Sequence, residues 1–159
     1  MRRVSRLLVG AAFCAGIVAC THKTTVSSGE TTVTSDDANK SVTVTSKDGT
    51  ATVGKDAVDL AKLGVPVYPG AQQNEGGINV AASSGNMQMV TLSTTDAFDK
   101  VYDWYKAQLP KDAEKMKVSS SADDSMAQFQ TDGPDSGKIS ITISGKKDKT
   151  SVVILKGDK

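Results

Sequence analysis

Cysteine and histidine, the residue types that most often act as nucleophile, base or metal ligand, are scarce in this 159-residue chain. The cysteines are Cys14 and Cys20, and His22 is the single histidine. If the apolar segment around Cys14 is a leader that is removed, Cys20 keeps no partner for a disulfide or a multi-cysteine metal site. His22 lies in a polar tract beside Cys20, so a Ser-His-Asp or Cys-His arrangement has no credible base. We therefore expect no metal, no cofactor and no enzymatic activity.

Residues 1–19 have the layout of a secretory signal peptide. The segment MRRVSR is basic, residues 7–18 form an apolar run, and the small residue Ala19 follows. This run is shorter than the roughly 17 to 25 residues that a membrane-spanning helix requires. We therefore expect residues 1–19 to be removed from the mature protein.

The residues at the end of this segment, Ile17, Val18, Ala19 and Cys20, resemble the lipobox of bacterial lipoproteins. The resemblance implies that signal peptidase II cuts before Cys20, that its thiol receives a diacylglyceryl group, and that fatty acids such as palmitate anchor the chain. Each buried methylene contributes about 0.8 kcal/mol, so one acyl chain anchors a protein marginally and two or three anchor it firmly. The alternative is an ordinary signal peptide with a chance cysteine near its end.

Thr21 bears on which membrane the protein reaches. By the same resemblance, an aspartate at this position tends to retain a lipoprotein in the inner membrane, and its absence favours export to the outer membrane. We therefore expect a lipid-anchored protein of the cell envelope, at the outer membrane and facing the periplasm.

The distribution of charge argues against a nucleic-acid partner. All the arginines, Arg2, Arg3 and Arg6, lie in the basic segment that is expected to be removed. The lysines of the remaining chain are slightly outnumbered by acidic residues, and the C-terminal lysines are interleaved with aspartates. Nucleic-acid binders need a clustered basic face. The expected contacts are instead the membrane, through Cys20, and an envelope protein or a cell-wall component.

Composition divides the remaining chain into three segments. Residues 20–40 are rich in serine and threonine and poor in large apolar residues, which predicts a disordered, flexible tether behind the lipid anchor. Residues 41–62 show valines alternating with threonines around a turn at 47–49, which predicts a β-hairpin, followed by a short helix near 56–64. Residues 63–156 are expected to form the main domain.

One stretch of the main domain has a clear helical pattern. Residues 94–110 begin with the possible cap residues Thr94 and Thr95 and end at Pro110. Apolar side chains recur on one face of this helix, and we expect them to supply the centre of the core: Phe98, Val101, Tyr105 and Leu109, flanked by Tyr102 and Trp104.

Alternating polar and apolar residues predict strands at 78–82, 87–93, 116–120, 125–131, 138–144 and 151–156. Short turns join most of them, as in a meander. The predicted fold class is therefore α+β, an antiparallel meander sheet with one amphipathic, aromatic-rich helix packed on a face, preceded by the signal peptide and the tether. The methionines on these strands, Met87, Met89, Met116 and Met126, are expected to fill gaps in the core.

The elbow VPVYPGA at 65–71 fixes the backbone at two prolines and permits a sharp turn at Gly70, which would place Tyr68 against the domain. This elbow, followed by a helix with the sequence VYDWY, resembles a recurrent small domain of bacterial lipoproteins and secreted proteins. The resemblance covers roughly residues 63–155. Its motifs are structural, and it implies no catalytic residue.

Two aromatic residues are candidates for a binding site. Tyr102 and Trp104 could stack on a sugar or a peptidoglycan fragment, although their helical spacing favours core packing. Tyr102 is the aromatic residue that we expect to expose an edge. The favoured function is a non-enzymatic binding or structural module. The alternatives are a carboxylate-based envelope hydrolase and a small-ligand-binding lipoprotein, which a deep cleft with converging acidic side chains would support.

Overall fold

The computed structural model describes residues 23–73, 76–121 and 124–158. Within these ranges ten strands form one antiparallel sheet, and a single α-helix packs on one of its faces, which confirms the α+β class. The signal peptide, the lipobox-like residues 17–20 and His22 lie outside the described residues.

The first six strands form a meander in sequence order, and the last four return from the opposite edge. The order across the sheet is β1-β2-β3-β4-β5-β6-β10-β9-β8-β7. Helix α1 connects β6 to the far edge strand β7, and the chain then comes back until β10 pairs with β6. The elements are β1 (Lys23–Ser28), β2 (Thr31–Asp36), β3 (Ser41–Ser46), β4 (Gly49–Gly54), β5 (Gly77–Ala82), β6 (Gly85–Thr94), α1 (Phe98–Gln108), β7 (Glu114–Ser121), β8 (Asp124–Asp132), β9 (Lys138–Lys146) and β10 (Lys149–Gly157).

The prediction of a disordered tether is wrong for residues 23–36, which form β1 and β2. Seven of the twelve residues in these two strands are β-branched, and such residues favour the extended backbone even where little surface is buried. The turn after β2 is also specified locally, because the Asp36 carboxylate accepts hydrogen bonds from the backbone N–H groups of Ala38 and Asn39. The chain is therefore ordered from three residues after Cys20.

The predicted hairpin at 41–54 is present as β3 and β4, and it belongs to the main sheet because β4 pairs with β5. The helix expected near 56–64 is shorter, a 3-10 helix at Leu60–Lys62. Asp59 caps it by accepting a hydrogen bond from the Ala61 N–H at 3.1 Å. The segments 41–62 and 63–156 therefore share one sheet.

The core lies between α1 and the C-terminal half of the sheet, as the periodicity predicts. Val101 and Tyr105 of the helix are fully buried, and Phe98 and Trp104 pack at the margin of the core. The strands contribute inward-facing residues at every second position: Val90, Leu92, Ala127, Phe129, Ile139, Ile141, Ile143, Val152 and Ile154.

The start of α1 differs from its prediction. The helix begins at Phe98 with Ala97 as its cap residue, which makes no side-chain capping bond. Thr94 ends strand β6, and its hydroxyl accepts a hydrogen bond from the Asp96 N–H at 3.2 Å. The strand thus continues through the threonine that was expected to cap the helix.

A glycine lets the helix approach the sheet closely. Gly145 of β9 lies beneath Phe98, and a Cβ atom at this position would lie 2.7 Å from the Phe98 Cβ. The first turn of α1 therefore rests directly on the backbone of the strand. Any larger residue at position 145 would push the helix away from the core.

Candidate functional site

The two faces of the sheet are occupied differently. We call the face that carries α1 the helix face and the opposite one the open face. Strand register assigns every strand residue to one of them, because successive side chains alternate. Val90 and Ile154, which pair directly, lie on the helix face, whereas the pair Met89 and Leu155 lies on the open face.

All large hydrophobic side chains that are exposed in the described part of the chain lie on the open face. Val26 is the most accessible of them, at 63%. This set includes three of the four methionines that were expected to fill the core, so that prediction is wrong for them. The ten residues are Val26, Val33, Val42, Val44, Val53, Met87, Met116, Val118, Met126 and Leu155.

Six of the apolar residues on the open face form a straight row across the sheet. Direct pairing joins each to the next, so the row runs perpendicular to the strands from β1 to β6. Its members are Val26, Val33, Val44, Ala51, Val80 and Met87. A second row, two residues away along the strands, contains Val42, Val53, Ile78, Met89 and Leu155.

The open face of β1–β6 carries no charged and no aromatic side chain among the strand residues that the structure describes. The other positions of this face are occupied by small residues: serine, threonine, alanine and glycine. Soluble proteins rarely expose continuous apolar surface without charges, and such surfaces mark interaction sites. We therefore treat the open face of β1–β6 as the candidate functional site.

Two shallow hollows lie on this face and share Val80 and Ala82 in their linings. The smaller, about 230 Å³, extends toward Val44 and Ala51. The larger, about 520 Å³, extends past Met87 toward β10 and has Lys138 and Asp158 in its lining. Members of the apolar row line both hollows.

The helix face of β1–β4 is polar. Thr25, Thr34, Thr43 and Thr52 pair across β1–β4 in one row, and a parallel row holds Ser27, Thr32, Thr45 and Thr50. Their hydroxyl groups approach one another within hydrogen-bonding distance, at 3.2 Å between Thr43 and Thr52. The first four strands therefore present hydroxyl groups on one side and valines on the other.

Tyr102 does not expose an edge, contrary to the prediction, and is 4% accessible. Its hydroxyl donates a hydrogen bond to Glu114 Oε1 at 2.7 Å and accepts one from Lys106 Nζ at 3.0 Å. The Lys117 ammonium lies 3.8 Å from the centre of its ring. The hydrogen bond from Tyr102, together with Lys106, lowers the pKa of Glu114. Tyr102 is thus a buried residue whose hydroxyl group is hydrogen-bonded, and no ring face is free for stacking.

Trp104 is partly buried and packs edge-on against Tyr68 and Tyr105, with ring centres 5.4 and 4.9 Å away. Burial raises the pKa of Tyr105 to about 12. The elbow prediction is confirmed: Tyr68 is buried, and its hydroxyl donates a hydrogen bond to Asp96 Oδ2 at 2.7 Å. Gly70, with φ of 84°, makes the expected turn, closed by a hydrogen bond from the Ala71 N–H to the Tyr68 carbonyl. These aromatic residues therefore fasten the elbow to the helix.

One hollow of about 380 Å³ brings two carboxylates together, those of Asp112 and Asp132. Lys138 pairs with Asp132 and lowers the pKa of that carboxyl group. A glycosidase acid needs the opposite, a carboxyl group that keeps its proton near neutral pH. In the described residues no cluster of three or more His, Cys, Asp or Glu side chains could hold a metal ion.

The open face was missed because its residues were assigned to a tether and to a separate hairpin. A signal for it exists in the sequence: the pattern Thr-x-Thr or Thr-x-Ser, with valine or alanine at x, recurs at 25–27, 32–34, 43–45 and 50–52. Its period of two assigns valines to one face and hydroxyl groups to the other.

No helix in the described ranges is long and apolar enough to cross a membrane. Comparison of the chain with protein-family models, with curated proteins and with solved structures gives no match.

Proposed function

We propose that this protein is a lipid-anchored, non-enzymatic lipoprotein of the bacterial cell envelope, whose open sheet face binds another envelope component. The observation that carries the binding role is the placement of every exposed large hydrophobic side chain of the described chain on one uncovered face. Such a face has unfavourable free energy in water and favours burial against a partner.

The sequence supports the anchor. The lipobox-like segment ends at Cys20, and β1 begins at Lys23. A fully extended chain spans at most about 3.5 Å per residue, so the lipid is held within roughly 10 Å of the first strand. The binding face therefore stands next to the membrane surface rather than at the end of a flexible tether.

The anchor is tested with the full chain, including its leader, expressed in a two-membrane bacterium. The mature protein should take up labelled palmitate, and globomycin should block its maturation. Cys20→Ser should abolish labelling and leave the precursor uncleaved. Cys14→Ser is the matched control, because that residue leaves with the signal peptide, and it should mature normally. Normal maturation of Cys20→Ser would refute lipid anchoring.

The binding role is tested by two substitutions at adjacent positions of β3. Val44→Glu puts a charge in the centre of the open face, whereas Thr43→Glu puts the same charge on the helix face. After cross-linking in envelope membranes, the wild-type protein and Thr43→Glu should yield a cross-linked species that Val44→Glu lacks. Equal cross-linking of all three proteins would contradict a role of the open face.

A further inference from the structure

We infer that the partner on the open face of β1–β6 is a second copy of this chain, so that two sheets pack face to face as a two-layer sandwich. The inference rests on the proposed function, because it names the component that this face binds. Three observations on the face favour its own copy over other occupants: its lack of charge, its dimensions and its position relative to the anchor.

The first observation is the chemistry of the surface. A two-fold axis brings each residue of the face against the same surface of the partner. A charge near this axis would face its own copy, and any other charge would need an opposite charge at a matching position of the same face or be buried unpaired, at a cost of several kcal/mol. The open face of β1–β6 carries none, and the small residues beside its valine rows allow two sheets to approach to about 10 Å, the usual spacing of packed sheets.

The second observation is the size of the face. Six strands at about 4.8 Å spacing, each six residues long at about 3.3 Å per residue, give a face of roughly 29 by 20 Å. Two copies would bury about 1,200 Å² in total by this measure, which exceeds the roughly 1,000 Å² expected of a specific interface. The exposed side chains of Val33, Val44 and Val53 lie across the middle of this area.

The third observation is the short distance along the chain between Cys20 and β1. β1 starts three residues after Cys20, so two anchored copies hold their sheets at the same height above one bilayer. A two-fold axis normal to the bilayer then brings open face to open face with both anchors in the same leaflet. Confinement to one membrane raises the effective concentration of one copy around the other.

The lipid surface itself fits the face less well. Segments that lie on a bilayer combine apolar residues with lysine, arginine and aromatic side chains at the interface. The open face of the described strands β1–β6 has apolar residues but no lysine, arginine or aromatic residue. A sandwich of two copies buries the same apolar surface and needs no lysine, arginine or aromatic residue to do so.

The test uses cysteines introduced into the full chain, which matures with Cys20 lipidated and no other thiol. In envelope membranes, Val44→Cys on the open face is compared with Thr43→Cys on the helix face. A short bis-maleimide should link Val44→Cys into a species of twice the chain mass and leave Thr43→Cys as a monomer. Differently tagged copies, co-expressed, should appear together in the linked species.

Maleimide labelling without cross-linker separates the possible failures. Slow labelling of Val44→Cys relative to Thr43→Cys, with no self-linked species, would refute the inference that the partner is a second copy. The proposal that the open face binds a partner would remain. In that case a linked species of another mass would show that the partner is a different protein. If Val44→Cys is protected from maleimide only in the presence of vesicles of the native lipids, the partner is the bilayer. Equal labelling of both variants would overturn the inference and the binding role together.

Discussion

The two halves of the sheet share an alternating strand pattern but differ in whether another element covers them. In β6 and β8–β10, alternate positions hold isoleucine, leucine, valine and phenylalanine, and α1 packs on this face. In β1–β4, alternate positions hold valine on one side and threonine on the other, and no element of the described chain covers either side. The comparison shows that strand formation and core formation are separate properties of a sequence. The covered half contains the hydrophobic core that stabilises the fold, whereas the uncovered half exposes both of its faces.

The largest expected difference between the halves is in the cost of truncating a side chain. Ile141→Ala removes a buried side chain from the covered half and should lower the free energy of unfolding by about 2–5 kcal/mol. In the monomer, at high dilution and without lipid, Val42→Ala on the uncovered half should lower it by less than about 0.5 kcal/mol. Urea denaturation followed by tryptophan fluorescence measures both, since Trp104 packs at the margin of the core. Equal losses would mean that the uncovered valines belong to a core.

A second prediction concerns the contact between helix and sheet. Gly145→Ala places a methyl group against Phe98 and should cost about 1–3 kcal/mol. Gly157→Ala is the control, because a Cβ atom there meets nothing within 4 Å. Thermal unfolding of both variants measures the effect. Indistinguishable melting temperatures would show that α1 does not rest on β9 as closely as the structure has it.

A third prediction isolates the uncovered half. Thr43→Ala removes the contact between the Thr43 and Thr52 hydroxyl groups and should destabilise β3 and β4 locally by about 0.2–1 kcal/mol. Hydrogen exchange should become faster in the first four strands, while the amides of β9 and β10 keep their rates. Faster exchange throughout the sheet would instead mean that both halves unfold as one unit.

The smallest expected effect is a dependence on pH in the covered half. The pKa of Glu114 is lowered in the folded protein, so its ionised form stabilises the fold at pH values above the ordinary carboxyl pKa of 4.5. This stabilisation is lost as the pH falls through the lowered pKa. Tyr102→Phe removes the hydrogen bond that contributes most to the shift. Its stability deficit relative to wild type should therefore be present at neutral pH and shrink in acid.

Tyr105→Phe provides the control for this titration. The pKa of Tyr105 is raised to about 12, far from the acid range, so any deficit of this variant should be the same at neutral and acid pH. A deficit of Tyr102→Phe that is equally independent of pH would contradict the coupling between Tyr102 and Glu114.

Most of the covered half could be predicted from the sequence, because its signals are strong and local. The helix pattern of Val101, Tyr105 and Leu109 and the alternation in KISITIS both lead directly to buried residues. The pairing of β6 with β10 could not be predicted, since it joins strands that are distant in the chain and no local signal encodes it.

The uncovered half was predicted less well for a physical reason. A criterion based on burial assigns a segment such as TTVTSD to a flexible tether, because the strand buries little apolar surface. Backbone pairing and the preference of β-branched residues for the extended conformation do not depend on a core. The position of Tyr102 was misjudged in a different way, because its burial depends on Glu114 and Lys117, which lie on β7 rather than on the helix.

The start of β1 close to Cys20 has a mechanical consequence. A lipoprotein with a disordered linker is free to rotate and to change its distance from the bilayer, whereas a paired strand transmits orientation. From β1 to β6 the sheet crosses five strand spacings, about 24 Å at 4.8 Å each. Under the proposed lipid attachment at Cys20, the first strands would act as a stiff spacer that sets the distance and the orientation of the helix-bearing half relative to the membrane.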